Sequence, residues 1–244
     1  MDKGYYKDYY VLERNHWWFM ARLKILKSQV ESVYGKQRDL KILNVGIATG
    51  ATTQMLSEFG DVTSVEYDEE CCAFVKEELR IDVIHGSITD LPFDSNTFDL
   101  VTAFDVIEHV EDDKKGVEEM MRVCNSNGHI FVTVPALMSL WSDHDVINHH
   151  FRRYKKKELI DLFKKSGSII FVSYFNSLLF LPIYLARKIS NLFGSKKVES
   201  DFSKFKLGLA NNIMKQVFLI ENGFLKKKIN FPIGVSLLLF WKNN

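Results

Sequence analysis

Residues 40–50 read LKILNVGIATG, an apolar run that passes directly into a turn of small residues. The apolar half has the composition of a buried strand. Gly46, Ala48 and Gly50 then let the backbone turn sharply and approach a ligand closely. A helix is predicted over about 52–59, so the stretch has the form of the first strand–turn–helix unit of an α/β sheet. A tight turn without any ligand is the alternative reading of these residues.

Strand and helix signals alternate along the chain after this unit. Further strands are predicted over 62–66, 81–85, 98–104, 128–134, 169–175 and 235–241, with helices over 68–80, 114–123 and 156–166. The run 98–104 is almost continuously apolar, as expected of a strand that is buried on both faces. This alternation predicts a parallel sheet with right-handed crossovers.

Length and composition fit one α/β domain that carries an insert. The chain has 244 residues, of which 46% are hydrophobic, enough to bury a core without disulfides or metals. Its net charge of +1 gives no support to a nucleic-acid partner. The three cysteines form no CxxC pair, which predicts a reducing, cytoplasmic location. Apolar runs are shorter than the roughly 20 residues of a membrane-spanning helix, so no transmembrane segment is expected.

We divide the chain into an aromatic, helical N-terminal segment, 1–35, and a main domain, 36–244. The stretch of about 176–230 is rich in Phe, Leu and Lys and is predicted to be a helical insert. Its apolar side chains could cover an acceptor pocket, form a homodimer contact or make a peripheral contact with a membrane. The N-terminal segment contains HWWF at 16–19. These tryptophans are expected either to cover the site or to pack against the sheet.

An acidic residue ends the second predicted strand. Glu66 follows Gly46 at about twenty residues, the spacing at which a carboxylate accepts hydrogen bonds from the ribose of an adenosine cofactor. Both S-adenosylmethionine (SAM) and nicotinamide cofactors are bound in this way, so Glu66 indicates adenosine without choosing between them. A solvated carboxylate is the alternative.

Three later segments, in this order, resemble the class I SAM-dependent methyltransferases of the type 11 kind. They read GSITDLPF at 86–93, FDLV at 98–101 and DVIEHV at 105–110. The closing segment PIGVSLL at 232–238 is similar to the last strand of that family, which is antiparallel. The resemblance implies a doubly wound, mostly parallel seven-stranded sheet with an antiparallel last strand, which is the Rossmann-like methyltransferase fold. It also implies SAM as the cofactor.

The resemblance also indicates which residues hold SAM. They are Asn44, Gly46, Ala48, Gly50, Glu66, Tyr67, Ser87, Ile88 and Asp105. Three of these depart from the family pattern. Asn44 replaces the usual Asp, Ala48 replaces a Gly, and Ser87 replaces an Asp that usually faces the adenine amino group. Asn and Ser keep the ability to form hydrogen bonds.

Acidic residues and histidines follow the fourth predicted strand. If 105–109 is helical, Asp105, Glu108 and His109 share one face, and His150 comes from a second cluster at 143–150. We predict His109 or His150 as the catalytic base. The four residues also resemble the ligand set of metal-dependent O-methyltransferases, and such ligands suit Mg²⁺ or a transition metal. We predict no resident metal and keep a divalent cation as the alternative, beside purely structural roles.

Together these features predict an enzyme that moves a methyl group from SAM to a small-molecule or sugar-like acceptor, with oxygen as the expected methylated atom. One alternative is a SAM-binding relative that has lost turnover and acts as a binding module, which the substitutions at 44, 48 and 87 would permit. The other is a nicotinamide-dependent oxidoreductase, which the segments at 86–93 and 98–101 disfavour.

Overall fold

The computed structural model describes residues 3–165, 167–193 and 208–244. Two helices precede the sheet, α1 (Lys3–Asn15) and α2 (Trp17–Tyr34). Gly35 ends α2 with a φ of 59°, a conformation that favours glycine. The N-terminal segment is thus helical up to the predicted residue.

The sheet has seven strands, in the order β3-β2-β1-β4-β5-β7-β6. They are β1 (Leu40–Val45), β2 (Gly60–Glu66), β3 (Ile84–His85), β4 (Phe98–Phe104), β5 (Cys124–Pro135), β6 (Ser168–Phe175) and β7 (Ser236–Lys242). Strand β7 runs antiparallel to both of its neighbours, and the other pairs are parallel. This confirms the predicted fold class and the predicted antiparallel last strand.

Seven further helices connect the strands within the described ranges. They are α3 (Ala51–Leu56), α4 (Glu69–Leu79), α5 (Asp113–Val123), α6 (Asp143–Ile147), α7 (Lys156–Leu162), α8 (Phe180–Phe193) and α9 (Leu209–Lys226). Asp68 caps α4 as expected, since its carboxylate accepts from the N–H groups of Glu70 and Cys71. None of the described helices combines the length and apolarity needed to cross a bilayer.

Two sequence expectations were wrong in detail. The third strand is limited to Ile84–His85 rather than 81–85, because it forms the exposed edge of the sheet and has little apolar surface to bury. The segment 105–109 is not one helix. Asp105 has a φ of 58°, which no right-handed helix accommodates, and a short 3₁₀ turn, Ile107–His109, follows it. Asp105 therefore shares no helical face with Glu108 and His109.

Both faces of the sheet are covered by helices. One core packs α5 and α7 on the sheet through side chains such as Met120 and Leu159. The other packs α2 and α9 on the opposite face through side chains such as Ile25 and Phe218. Because β7 is antiparallel, its first residue, Ser236, lies beside the carboxyl ends of β5 and β6. The polar loops that follow the parallel strands therefore meet at one edge of the sheet, where ligands bind in such folds.

A buried carboxylate on α9 fixes the loop between β6 and α8. Oε1 of Glu221 accepts hydrogen bonds from the backbone N–H groups of Ser177 (2.7 Å) and Leu178 (2.8 Å). Burial raises the pKa of Glu221 to about 7, although these N–H donors oppose the shift. Folding therefore favours the protonated form of this side chain.

Stability is expected to fall as the pH rises from the ordinary glutamate value to about 7, because the folded protein must then ionise a buried carboxyl. Replacing Glu221→Gln removes this ionisation. Between about pH 5 and pH 8, the free energy of unfolding of the variant should rise relative to wild type by about 2 kcal/mol. Urea unfolding of both proteins at the two pH values measures the difference. If wild type and Glu221→Gln differ in unfolding free energy by the same amount at both pH values, the pH dependence does not come from Glu221.

Candidate active site

A cavity of about 1260 Å³ lies at the carboxyl edge of the sheet. Most of the predicted site residues line it, namely Gly46, Ala48, Glu66, Tyr67, Ser87, Ile88, Asp105, Glu108, His109 and His150. Helices α1 and α2 close it on one side and α8 on another, through residues such as Tyr6, Trp17, Trp18 and Ile183. Asn44 and Gly50 do not line the cavity. The fold thus brings residues from distant parts of the sequence to one space.

The turn after β1 forms the floor of the cavity. Gly46 has a φ of 78°, and its N–H donates to the carbonyl of Val65 at 2.8 Å. A Cβ at Gly46 would lie 2.5 Å from Cγ2 of Val106, which is closer than carbon atoms approach. Ala48 adopts a φ of 47° and so fills a glycine position at some conformational cost. The turn is therefore shaped for close approach of a ligand, even with Ala48 in the sequence.

Asn44 lies behind this turn and is fully buried. Its Nδ2 donates to the hydroxyls of Thr52 (3.2 Å) and Thr53 (2.9 Å), and its Oδ1 accepts from Thr102 Oγ1 at 3.0 Å. These bonds tie β1, β4 and the start of α3 together. The side chain predicted to contact the cofactor is thus engaged within the protein and supports the turn from below.

Glu66 ends β2 beside the turn. Its Oε1 accepts from the backbone N–H groups of Tyr67 (2.9 Å) and Asp68 (3.1 Å), and its Oε2 accepts from Ala48 N–H at 3.3 Å. Burial raises the pKa of Glu66, against the effect of these donors. A carboxylate offers about four acceptor positions. The three N–H donors use three of these positions, and Glu66 lines the cavity.

The loop after β3 forms the next part of the wall. Ser87 Oγ lies 2.8 Å from Thr89 Oγ1 and accepts from the Thr89 N–H at 3.2 Å. Ile88 is buried, while Tyr67 on the opposite side is largely exposed. This part of the cavity wall therefore combines the apolar side chain of Ile88 with the hydroxyls of Ser87 and Thr89.

Asp105 lines the cavity and is paired with Arg22 of α2. Arg22 Nη2 is 2.7 Å from Asp105 Oδ2, and it also donates to Thr133 Oγ1 at 3.1 Å. Thr133 Oγ1 in turn donates to Asp105 Oδ1 at 3.2 Å. The N-terminal segment therefore contributes a charged side chain to the middle of the site. This feature was not anticipated from the sequence.

Glu108, His109 and His150 come together beside Asp105. One potential ligand atom of each lies within 4.8 Å of the others, and the two imidazole rings are 4.5 Å apart at their centroids. Glu108 is fully buried, and neither of its oxygens has a hydrogen-bond partner among the described residues. Burial, followed by the nearby Asp105, raises the pKa of Glu108 well above its usual range. This three-residue cluster excludes Asp105, which is bound to Arg22.

His150 is oriented by a second buried carboxylate. Its Nδ1 lies 2.8 Å from Asp145 Oδ1, and Arg153 binds the same carboxylate through Nε (2.8 Å) and Nη2 (2.9 Å). Although burial opposes it, the bonds from His150 and Arg153 hold the pKa of Asp145 well below its usual range. Asp145 and Arg153 are thus supporting residues of the site. The available signal in the sequence was the concentration of charged residues and histidines in DHD at 143–145 and HHFRRY at 149–154.

The N-terminal helices hold the cofactor turn from above. Thr49 Oγ1 donates to Glu13, and Arg14 Nη2 donates to the carbonyl of Thr49 at 3.2 Å. Trp17 is buried with its ring edge against Phe218, and Trp18 stacks under the Arg22 guanidinium at 5.1 Å. The two tryptophans therefore both pack within the protein and line the cavity.

Residues 43–132 match the sequence model of a family described as methyltransferase domain. A Mycolicibacterium smegmatis protein named "probable S-adenosylmethionine-dependent methyltransferase" is 26% identical over 160 residues, which cover 64% of this chain and 61% of that protein. Residues 43–132 form a class I methyltransferase domain. In this domain the match runs from β1 to β5 and includes the turn, Glu66 and the cluster at 105–109.

Two other relatives of the methyltransferase domain are named for specific reactions. A demethylmenaquinone methyltransferase of Clavibacter sepedonicus is 30% identical over 97 residues, covering 38% of this chain and 40% of that protein. A 2-methyl-6-phytyl-1,4-hydroquinone methyltransferase of Oryza sativa is 29% identical over 136 residues, covering 53% and 39%. These matches span less than two thirds of each relative's length.

Solved structures share the fold of the methyltransferase domain. A candidate methyltransferase of Bacillus halodurans superposes with a TM-score of 0.60 at 14% identity, over 88% of this chain and 97% of that one. The cyclase SpnF superposes with a TM-score of 0.56 at 15% identity, over 89% and 79%. At this identity the likeness concerns the fold.

SAM is the cofactor that this family implies, and the cavity fits it. The tight turn at Gly46, the carboxylate of Glu66 and the side chains of Ser87 and Ile88 follow one another along the edge of the sheet. Their chemistry suits, in that order, an amino-acid tail, a ribose hydroxyl and an adenine ring. The remaining volume, beside Asp105 and His150, is left for a second substrate.

Proposed function

We propose that the protein is a SAM-dependent methyltransferase that acts on an oxygen of a small-molecule or sugar-like acceptor. The observation that carries the proposal is the continuity of one cavity from the Gly46 turn and Glu66 to the Glu108–His109–His150 cluster. A donor and an acceptor held in the two halves would meet near Asp105. Because holding reactants in line lowers the barrier greatly, much of the catalysis would come from this placement.

SAM, when bound, supplies a methyl group on a positively charged sulfur, and such a donor needs no further activation. A hydroxyl acceptor, in contrast, must lose its proton as its oxygen bonds to the methyl carbon. We assign this step to His150. With Nδ1 donating to Asp145, Nε2 is the basic nitrogen and is directed away from that carboxylate. His150 therefore takes the hydroxyl proton, and Asp145 stabilises the resulting imidazolium.

His109 has a different role in this proposal. Partial desolvation and the adjacent His150 lower the pKa of His109 to about 4, so the ring is neutral at pH 7. Glu108, buried and without a partner among the described residues, can bond a second hydroxyl of the acceptor. Both side chains would orient the acceptor toward His150.

The shape of the cavity supports an acceptor with a polar head and an apolar body. Polar groups surround Asp105, whereas the wall toward α8 is formed by side chains such as Pro182, Ile183 and Met214. The relatives named for a menaquinone precursor and for a phytyl hydroquinone act on molecules of this kind. We therefore include aromatic alcohols with an apolar chain among the acceptors to be tested, beside sugars.

Replacing Glu66→Ala is expected to weaken SAM binding about tenfold or more, because a hydrogen bond to a charged acceptor is lost. Isothermal titration calorimetry with SAM and S-adenosylhomocysteine measures the change, and titration with NAD tests the oxidoreductase alternative. Protonation of Glu66 removes its negative charge and turns one of its acceptor oxygens into a donor. Since burial raises its pKa, wild-type affinity should start to fall above the ordinary glutamate range on acidification.

Glu66→Gln is the matched control for this pH dependence, because its amide does not titrate and keeps one oxygen. Its affinity for SAM should stay flat over the same pH range. SAM affinity that is unchanged in Glu66→Ala would contradict the role given to this carboxylate.

Replacing His150→Ala is expected to lower the turnover number about a hundredfold and to leave SAM affinity unchanged. Release of S-adenosylhomocysteine in the presence of an acceptor panel is the measurement. His129→Gln, a histidine on β5 that does not line the cavity, serves as the control and should retain full turnover. Equal turnover in wild type and His150→Ala would remove His150 from the mechanism.

The same three side chains could instead hold a divalent cation. A buried carboxylate beside two imidazoles, with ligand atoms within 4.8 Å of one another, fits such an ion. Glu108, His109 and His150 would hold it, and it would lower the pKa of an acceptor hydroxyl. Turnover that is lost on chelation and restored by Mg²⁺ or Mn²⁺ would favour this alternative over a free imidazole base.

A binding module without turnover is the second candidate function. The likeness to SpnF, which is named as a cyclase, illustrates that this fold does not by itself fix the reaction. SAM binding without release of S-adenosylhomocysteine on any acceptor in the panel would favour the module. Turnover on one acceptor would exclude it.

A further inference from the structure

Helix α8 forms a wall of the cavity and also carries an exposed apolar stripe on another face. Residues Pro182, Ile183 and Ala186 line the cavity. The α8 stripe consists of Leu178, just before the helix, and Leu181, Leu185 and Ile189, which are between 48% and 61% exposed. Their spacing of three and four residues places them on one side of the helix.

Helix α9 repeats this arrangement. Asn211, Phe218, Glu221 and Leu225 face the protein and are buried. The opposite face carries Leu209, Ile213, Ile220 and Phe224, between 45% and 79% exposed and spaced by four or seven residues. Because large apolar side chains lie in rows on two helices of the same insert, the insert has an interaction surface rather than scattered exposed residues.

The insert also differs sharply in charge from the rest of the protein. Residues 176–230 contain ten Lys and Arg against three Asp and Glu, a net charge of +7. The remaining residues contain 22 Lys and Arg against 28 Asp and Glu, a net charge of −6. Lys188 is exposed and lies two turns after Leu181, at the border of the α8 stripe. Apolar side chains bordered by cations are the pattern of a helix that lies in the interface of an anionic membrane.

We propose that the insert docks on an anionic lipid surface through the α8 stripe, with the charge of the insert attracting lipid phosphates. A second copy of the chain fits this surface poorly, since a symmetric contact would bring together two inserts whose described residues alone carry six cations and one acid, a net charge of +5. A nucleic acid would satisfy the cations but would leave the apolar rows in water. An anionic bilayer would pair its phosphates with the cations and would also bury the apolar rows.

Docking in this way has a consequence for the cavity. Only the thickness of α8 separates the α8 stripe from the cavity lining at Ile183 and Ala186, so the acceptor half of the cavity would lie next to the lipid. An apolar acceptor would then enter the cavity directly from the bilayer. This step rests on the proposed function. The docking itself does not depend on it.

Flotation with unilamellar vesicles tests the docking. Wild type is expected to bind vesicles of phosphatidylcholine mixed with phosphatidylglycerol, to bind phosphatidylcholine alone weakly, and to be released by high salt. The variant Leu181→Ser/Leu185→Ser/Ile189→Ser should bind the mixed vesicles at least about tenfold more weakly. Its side chains are about half exposed, so little buried surface is lost, and thermal unfolding checks that the variant folds. Val11→Ser/Ile84→Ser/Ile170→Ser, which changes partly exposed aliphatic residues elsewhere, should bind like wild type.

The proposal is overturned if wild type does not bind mixed vesicles, or if the α8 variant binds them as wild type does. It is likewise overturned if sedimentation shows a dimer that dissociates in the α8 variant while vesicles are not bound. Calorimetry with SAM on the same preparations separates the two proposals. Vesicle binding without SAM binding would contradict the proposed function and leave the docking supported.

Discussion

Replacing Gly46→Ala is expected to lower SAM affinity at least about a hundredfold, the largest effect on binding that we foresee from one added methyl group. Two terms combine. An alanine at a φ of 78° is strained by about 1 kcal/mol, and its Cβ would lie 2.5 Å from Cγ2 of Val106. Val106 is β-branched, which restricts the rotation of its side chain, and it lines the cavity. The floor of the cavity must shift where the ligand approaches it.

Gly35→Ala is the matched control for this prediction. Gly35 also has a positive φ, 59°, but a Cβ there meets no described atom within 4 Å. It should therefore cost about 1 kcal/mol of stability and leave SAM affinity unchanged. Calorimetry and thermal unfolding on both variants separate strain from obstruction. Wild-type affinity in Gly46→Ala would contradict the position that we assign to the cofactor.

Replacing Arg22→Met is expected to lower the free energy of unfolding by about 3 kcal/mol, because it leaves the carboxylate of Asp105 without its counter-charge in a largely buried position. Arg22 bridges α2 to β4 and β5 through Asp105 and Thr133. Its loss therefore also frees the N-terminal segment from the centre of the site. Urea unfolding measures the change. A cost below about 0.5 kcal/mol would show that the bridge contributes little.

A second substitution isolates the charge effect. Arg22→Met/Asp105→Asn removes both charges, and replacing both members of a buried pair costs much less than removing one. The double variant should therefore be more stable than Arg22→Met. Lys7→Met breaks an exposed pair with Glu78 and should change stability by less than about 0.5 kcal/mol. If the double variant is less stable than Arg22→Met, the cost does not come from the unpaired charge.

The strands could be predicted, and the residues assigned to the cofactor could be proposed, because their signals are local. Each signal lies within a short stretch: the apolar runs of β1 and β4, the small residues at 46–50 and the carboxylate that ends β2. Local propensity and periodicity therefore determine them, and parallel strand order then brings their carboxyl ends together. The resemblance of residues 86–110 to the SAM-dependent methyltransferases then indicated SAM rather than a nicotinamide cofactor.

The acceptor half could not be predicted in the same way. Asp105 was expected on one helical face with Glu108 and His109, but its left-handed backbone turns it toward Arg22, eighty-three positions earlier in the chain. Asn44 was expected at the cofactor, but the hydroxyls of Thr52, Thr53 and Thr102 already occupy its amide. Both outcomes depend on partners from other elements, which no local pattern specifies.

By itself, then, the sequence determined the α/β fold, the turn beneath the cofactor and the identity of the side chains at the rim, because hydrophobic period and turn chemistry act over short distances. The tertiary structure decided which of those side chains meet. In the folded protein His150 lies next to Glu108, and Asp145 forms a hydrogen bond that orients His150. Helices α2 and α8 form walls of one cavity. Such contacts arise only when helices far apart in the chain pack on the same sheet, since burial and pairing of charges are properties of the assembled core.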